Sequence, residues 1–372
     1  MNKKITLICG RTFTVYKFRK NLVKALQDNN YDVSIIALDN DYEKQILEWN
    51  VDFYHIDQNN RSINPFEKIS LLNKISKLLD QIKPDKVFTF MLTPNTFGVL
   101  AAHKSKIKDI YSMVEGAGDV FIYNTLKWKI IRFFTCSLYR KAFKYSKKIF
   151  FLNNDDKNEF IQRKLVKSEQ CVVIPGIGVD TDYYAYKPIK NTNTFLMVAR
   201  LMPSKGILEY CEAARLVKKI HPEAVFNLIG EEFTLTKKDI QEYIDDGSIN
   251  YLGYVEDIRP YYENCLAIVS CSYREGMPMI LLEAASVGRL IISTNSTGNR
   301  EVVTDNVNGF LVNSHKPEAI AERLILVLNN TCDLLNYGEK SRKIVVEDYK
   351  EDKINKKIVK EINLLWTIVK KE

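Results

Sequence analysis

The chain predicts an α/β protein of two Rossmann-like domains, each a parallel, doubly wound sheet, on three observations. Short β-branched runs alternate with longer amphipathic stretches along most of its length, the pattern of strand–helix units in a parallel sheet. That alternation breaks once, near the middle, in a stretch rich in Pro, Gly, Asn and Thr, as a linker would. The 372 residues exceed one ordinary core, and a hydrophobic content of 46% is too high for a disordered chain.

In the first half, ITLIC (5–9) reads as a buried strand, after which Val15, Phe18, Leu22 and Leu26 recur at helical spacing. VSIIAL (33–38), a helix after Asp41, VDFYHI (51–56) and a long helix started by Asn64-Pro65 follow. KVFTF (86–90), DIYSMV (109–114) and KKIFFL (147–152) continue the strands, with helical patterns between them. The break spans about 175–193. Beyond it, TFLMVA (194–199), a helix from Lys205 to Ile220, AVFNLIG (224–230), INYLGY (249–254), AIVSCS (267–272), LIISTN (290–295) and GFLV (309–312) repeat the scheme. The tail from 331 on is helical by pattern. The expected domains are therefore 1–180 and 181–350, facing one cleft, with 351–372 a helix that packs back on the first.

Composition excludes several classes. Gly and Pro have no period, which rules out collagen-like and low-complexity chains. No apolar run approaches the ~20 residues of a spanning helix. The apolar run after the opening MNKK stops at Arg11, before a secretory core forms, so the expected location is cytoplasmic. Seven Cys without a CxxC and four dispersed His argue for a reducing compartment and no zinc.

Net charge is +8, which favours an anionic partner. Between Lys127 and Lys148 there are eight basic residues and no acid, interleaved with Trp128, Ile130, Ile131, Phe133, Phe134, Leu138, Tyr139 and Phe143. This basic amphipathic helix reads either as a surface lying on anionic lipid, peripheral on the inner face of the plasma membrane, or as a core helix with a solvated face. No nucleic-acid module accompanies it.

The informative stretch is SYREGMPMILLEAASVG, residues 272–288. Pro278 suits the first turn of a helix, which leaves Glu275 and Gly276 in the strand-to-helix loop and puts Glu283 on the helix. Two carboxylates then face one cleft from different heights, beside free N–H groups that suit a phosphate. In open parallel sheets ligands bind beyond the carboxyl ends of the strands, where this loop lies.

Residues 275–288 match the motif EGxPxxLLEAxxxG throughout, and here the sequence resembles the retaining, nucleotide-sugar-dependent glycosyltransferases of family 4, which have the GT-B fold. VARLMPSKG (198–206), STGNREVVTDNVNGFLV (296–312) and IPGIGVDTDYY (174–184) look like three further blocks of that family. The resemblance covers most of 150–330 and, more faintly, the first half. It implies that Arg200 and Lys205 hold the donor diphosphate, Glu283 the ribose diol, and Glu275 the sugar hydroxyls with help from the N–H groups of Gly276 and Met277. Tyr254 and Val255 lie where the family places the base; Arg300, beside Glu301, adds a cation, and Gly10 approaches the diphosphate or is a simple turn glycine. Fixed cations can neutralise a leaving diphosphate without metal, and the sequence has no convincing DxD loop, so no cofactor or metal is expected.

The sequence departs from the family at one point. Where many members carry a His, it reads MVEGAGD (113–119); Glu115 or Asp119 then orients the acceptor hydroxyl, or the stretch is a plain glycine turn. His103 reads as a surface helix residue. The branch with this loop, a basic helix after it and GxREVV looks like the bacterial surface-polysaccharide transferases, which act on undecaprenyl-diphosphate-linked acceptors. The expected reaction moves a hexose or N-acetylhexosamine from a UDP-sugar to such a lipid-linked saccharide with retention. A sugar-nucleotide epimerase, an inverting transferase and a catalytically silent binding subunit on the same fold are the rivals; the missing GxGxxG sets a nicotinamide enzyme behind them.

Overall fold

The structure, a computed structural model, describes residues 2–58, 64–190, 192–313, 315–329 and 333–369. It divides into two compact units, Met1–Ile177 with Asp352–Glu372, and Gly178–Glu351.

The first unit is built on strands β1 (Lys3–Cys9), β2 (Tyr31–Ala37), β3 (Asp52–His55), β4 (Lys86–Phe90), β5 (Asp109–Val114), β6 (Lys148–Phe151) and β7 (Cys171–Val173), ordered β3-β2-β1-β4-β5-β6-β7. All pairings are parallel. β1 from Ile5 onward and all of β4 are buried on both faces, as helices covering each side require. The order reverses between β1 and β4, so the loops after these strands open at a topological switch point.

The second unit repeats the plan with β8 (Thr194–Val198), β9 (Val225–Ile229), β10 (Asn250–Gly253), β11 (Ala267–Ser270), β12 (Leu290–Thr294) and β13 (Gly309–Val312), ordered β10-β9-β8-β11-β12-β13. Again the pairs are parallel, and the switch falls between β8 and β11. Phe195, Met197, Phe226, Leu228, Val269 and Ile292 form the centre of its core.

The chain returns to the first unit through the helix Glu351–Val369. Lys86, 1% exposed, and Tyr111, 0% exposed, both donate to the Ile362 carbonyl at 3.1 Å, and the Tyr31 hydroxyl donates to Asn363 Oδ1 at 2.6 Å. Lys86 also pairs with Asp109 at 3.1 Å. Burial lowers its ammonium pKa, and the Asp109 charge opposes that shift.

Some elements differ from the pattern-based expectation. The periodicity through Val15 and Leu26 suggests one helix, but Thr12–Phe18 and Lys20–Gln27 are separate. Arg19 lies between them at φ −127°, ψ −2°, and its guanidinium turns inward. The helix after β8 begins at Ile207, because Pro203–Lys205 is a 3₁₀ turn ended by Gly206 at φ +69°. Pro278 precedes its helix, Met279–Val287, instead of opening it, since its ψ of 99° is extended.

Candidate active site

In the second unit, three loops at the carboxyl ends of β8, β11 and β12 are locked together through their backbones. The Tyr273 amide donates to the Ser204 carbonyl, and the Glu275 amide to that of Thr297, both at 2.9 Å. Thr294 and Ser296 hydroxyls both donate to the Ser272 carbonyl, at 2.7 and 2.8 Å. Two glycines permit this approach. A Cβ on Gly206 would lie 2.3 Å from the Cys271 carbonyl oxygen, and one on Gly298, at φ +85°, 2.6 Å from that of Glu275. Both also hold left-handed dihedrals that side chains disfavour.

This frame brings Lys205 and Glu275 together. Nζ of Lys205 lies 2.5 Å from Oε1 of Glu275, with the side chains 21% and 17% exposed. The pair is thus half-sheltered, where a charge-assisted hydrogen bond is strong and an anion can still reach the ammonium. Gly276 and Met277 are buried directly after Glu275.

The remaining expected residues of this unit are spread around the pair. Arg200 is exposed, its guanidinium 4.8 Å from the centre of the Phe233 ring, and no ion pair or hydrogen bond joins it to Lys205 or Glu275. Tyr254 is 51% exposed and Val255 half-buried, just beyond β10 at the sheet edge. Arg300 is exposed and donates to Thr297 Oγ1 at 3.3 Å, while the Glu301 carbonyl accepts the Tyr349 hydroxyl. Glu283 is only 8% exposed, and its Oε2 accepts the Tyr262 phenol at 2.9 Å.

In the first unit, Gly10 is buried at the end of β1. Glu115 follows β5 and forms an ion pair with Arg19, whose side chain is 4% exposed and lies 4.8 Å from the Phe90 ring centre. Arg19 escapes sequence reasoning because it occupies a position that helical spacing assigns to a continuous helix. The buried Thr12 donates its amide, at 2.7 Å, and its hydroxyl to Asp39. Asp119 opens a 3₁₀ turn after Gly118. His103 is exposed and stacks on Tyr145 at 3.5 Å.

The basic helix, Leu126–Phe143, divides along its length. Cys136, Tyr139, Ala142 and Phe143 are buried, whereas Leu126, Ile130, Phe133 and Phe134 are 75, 52, 70 and 62% exposed. Those four are spaced as one helical stripe. Beside them, Lys129, Arg132, Arg140 and Arg163 line one pocket with Phe133 and Cys136. Among the described residues, no group of three His, Cys, Asp or Glu gathers as a metal site, and no helix is long and apolar enough to cross a membrane.

Residues 6–153 match the family model of glycosyl transferase 4-like domains, and 183–344 that of glycosyl transferases group 1. The chain is 27% identical over 363 residues, 93% of it and 95% of the relative, to the N,N'-diacetylbacillosaminyl-diphospho-undecaprenol α-1,3-N-acetylgalactosaminyltransferase of Campylobacter jejuni. It is 26% identical to the UDP-Gal:α-D-GlcNAc-diphosphoundecaprenol α-1,3-galactosyltransferase of Escherichia coli, covering 82% of each chain. Anabaena HepE, crystallised with UDP and glucose, superposes with a TM-score of 0.80 at 16% identity, over 97% of this chain and 99% of that one. A glycosyltransferase from Rickettsia africae gives a TM-score of 0.79 at 20% identity, over 98% and 99%. With both halves matched and the two switch-point sheets in place, the chain belongs to the family 4 glycosyltransferases of GT-B fold, beside bacterial polysaccharide enzymes.

Proposed function

We propose that this glycosyltransferase moves a hexose or N-acetylhexosamine from a UDP-sugar to an undecaprenyl-diphosphate-linked saccharide in surface-polysaccharide synthesis, with retention at the anomeric carbon. The observation that carries this is the Lys205–Glu275 pair, locked at the β8/β11 switch point between loops whose spacing Gly206 and Gly298 fix. Lys205 takes charge that develops on the leaving diphosphate, and Glu275 holds sugar hydroxyls. Arg200, exposed beside Phe233, swings to the same diphosphate. Glu283 accepts from the ribose diol, and the edge residues Tyr254 and Val255 flank the base.

Retention proceeds through front-face attack in an oxocarbenium-like ion pair, with the departing phosphate taking the acceptor proton. Glu115, held by Arg19, orients the acceptor hydroxyl. No metal is needed, because the ammonium and guanidinium supply the positive charge. The relatives' names support the lipid-linked acceptor, and the exposed stripe of the helix Leu126–Phe143 supports a peripheral position on the cytoplasmic face of an anionic membrane.

The test is incubation of purified protein with radiolabelled UDP-sugars and undecaprenyl-diphosphate saccharides. Label in an α-linked lipid product is the expected result. Label that stays on nucleotide as an epimer, a β-linked product, or no turnover with any donor would each replace this reading by one of its rivals.

A further inference from the structure

We propose that Tyr262 and Tyr184 are positioning residues that set the Glu283 carboxylate for the donor ribose, and so govern nucleotide affinity without touching the nucleotide. This rests on the assignment of Glu283 to the ribose diol.

Glu283 projects from a helix whose residues Leu281 to Val287 are all buried. A carboxylate in such a place needs donors to remain charged. Tyr262, 0% exposed, gives its phenol proton to Oε2 at 2.9 Å, and the Tyr184 phenol lies within the field of the same carboxylate. The two rings meet edge to face, 6.2 Å apart at 65°. Both phenols have pKa values pushed upward, first by burial and then by the Glu283 charge. They therefore stay protonated, and the Tyr262 phenol leaves the other carboxylate lone pairs for a diol.

Tyr184 is itself anchored. Its carbonyl accepts from Ser286 Oγ at 2.7 Å and from Arg342 Nη1 at 3.1 Å, and Arg342 also reaches the Thr181 and Ser286 carbonyls at 3.0 and 2.9 Å. One guanidinium thus ties the mid-chain linker to the helix that carries Glu283. Phenylalanine at either tyrosine keeps the ring and removes only the phenol hydroxyl, which at Tyr262 is the donor to the carboxylate.

Titration calorimetry of the full chain with UDP and with 2′,3′-dideoxy-UDP separates this role from packing. Tyr262→Phe is expected to weaken UDP roughly tenfold and to leave the dideoxy nucleotide within about twofold, because that ligand has no diol to present. Tyr184→Phe, at a half-buried position, gives the same comparison should Tyr262→Phe fail to fold. Equal loss for both nucleotides would overturn the proposal, since it marks a packing effect. Glu283→Gln serves as the reference: if it weakens UDP while the tyrosine variants do not, the positioning role falls alone. If it leaves UDP binding intact, the ribose assignment falls as well.

Discussion

Lys205 and Glu275 are each other's counter-charge, so removing either changes the site twice: one group is lost and the other is left half-sheltered without its partner. Lys205→Ala and Glu275→Ala are each expected to lower kcat by about 10²–10³-fold, the usual cost of losing one aimed charge or donor. Melting temperature should move little, which steady-state kinetics and calorimetry together can establish. The sequence already puts Glu275 in the loop between AIVSCS and Pro278, whereas Lys205 reads there as the start of a helix and stands out only through the family resemblance. Tyr262, Tyr184 and Arg19 are not legible there. Arg19 sits in a run that reads as ordinary helix and Tyr184 in the mid-chain break, and only the folded surroundings of Glu283 and Glu115 give these groups meaning.

Elements position these groups through close backbone contact. At Gly206 a methyl group would meet the Cys271 carbonyl oxygen at 2.3 Å with φ at +69°. Gly206→Ala should therefore cost about 1–3 kcal/mol in backbone strain, seen as a lower melting temperature and weaker activity together. The helix Leu126–Phe143 shows where sequence periodicity runs out. Its apolar residues lie on more than one face, so spacing leaves lipid docking and core packing both open, and the structure assigns core packing to the second half and exposure to the first. Replacing Phe133 and Phe134 by Ser removes two exposed aromatic rings from the proposed lipid-facing stripe. Vesicle partitioning of that variant is expected to fall at least about tenfold, and activity on a short-chain, water-soluble acceptor should be unchanged.

At the scale of the whole molecule, both units place their switch points at the loops that carry the candidate residues: Gly10 follows β1 in the first, and the Lys205 and Glu275 loops follow β8 and β11 in the second. Alternating patterns and the mid-chain break make that architecture legible. Strand β7, only Cys171–Val173, is too short to register as a period. The return of the helix Glu351–Val369 to the first unit depends on Ile354, Ile358, Val359 and Ile362, which are 2, 1, 4 and 0% exposed. Ile362→Ala should destabilise the first unit by about 2–5 kcal/mol, read by hydrogen exchange as faster opening there and unchanged protection in the second unit.

UDP affinity in excess EDTA, measured by calorimetry on the native chain and on Lys205→Ala, bears on whether fixed cations of the second unit hold the diphosphate. Undiminished binding by the native chain and a roughly 10- to 100-fold loss in the variant are predicted, the range for a hydrogen bond to a charged group. Equal affinities, or binding that returns only when Mn²⁺ or Mg²⁺ is restored, would contradict the account.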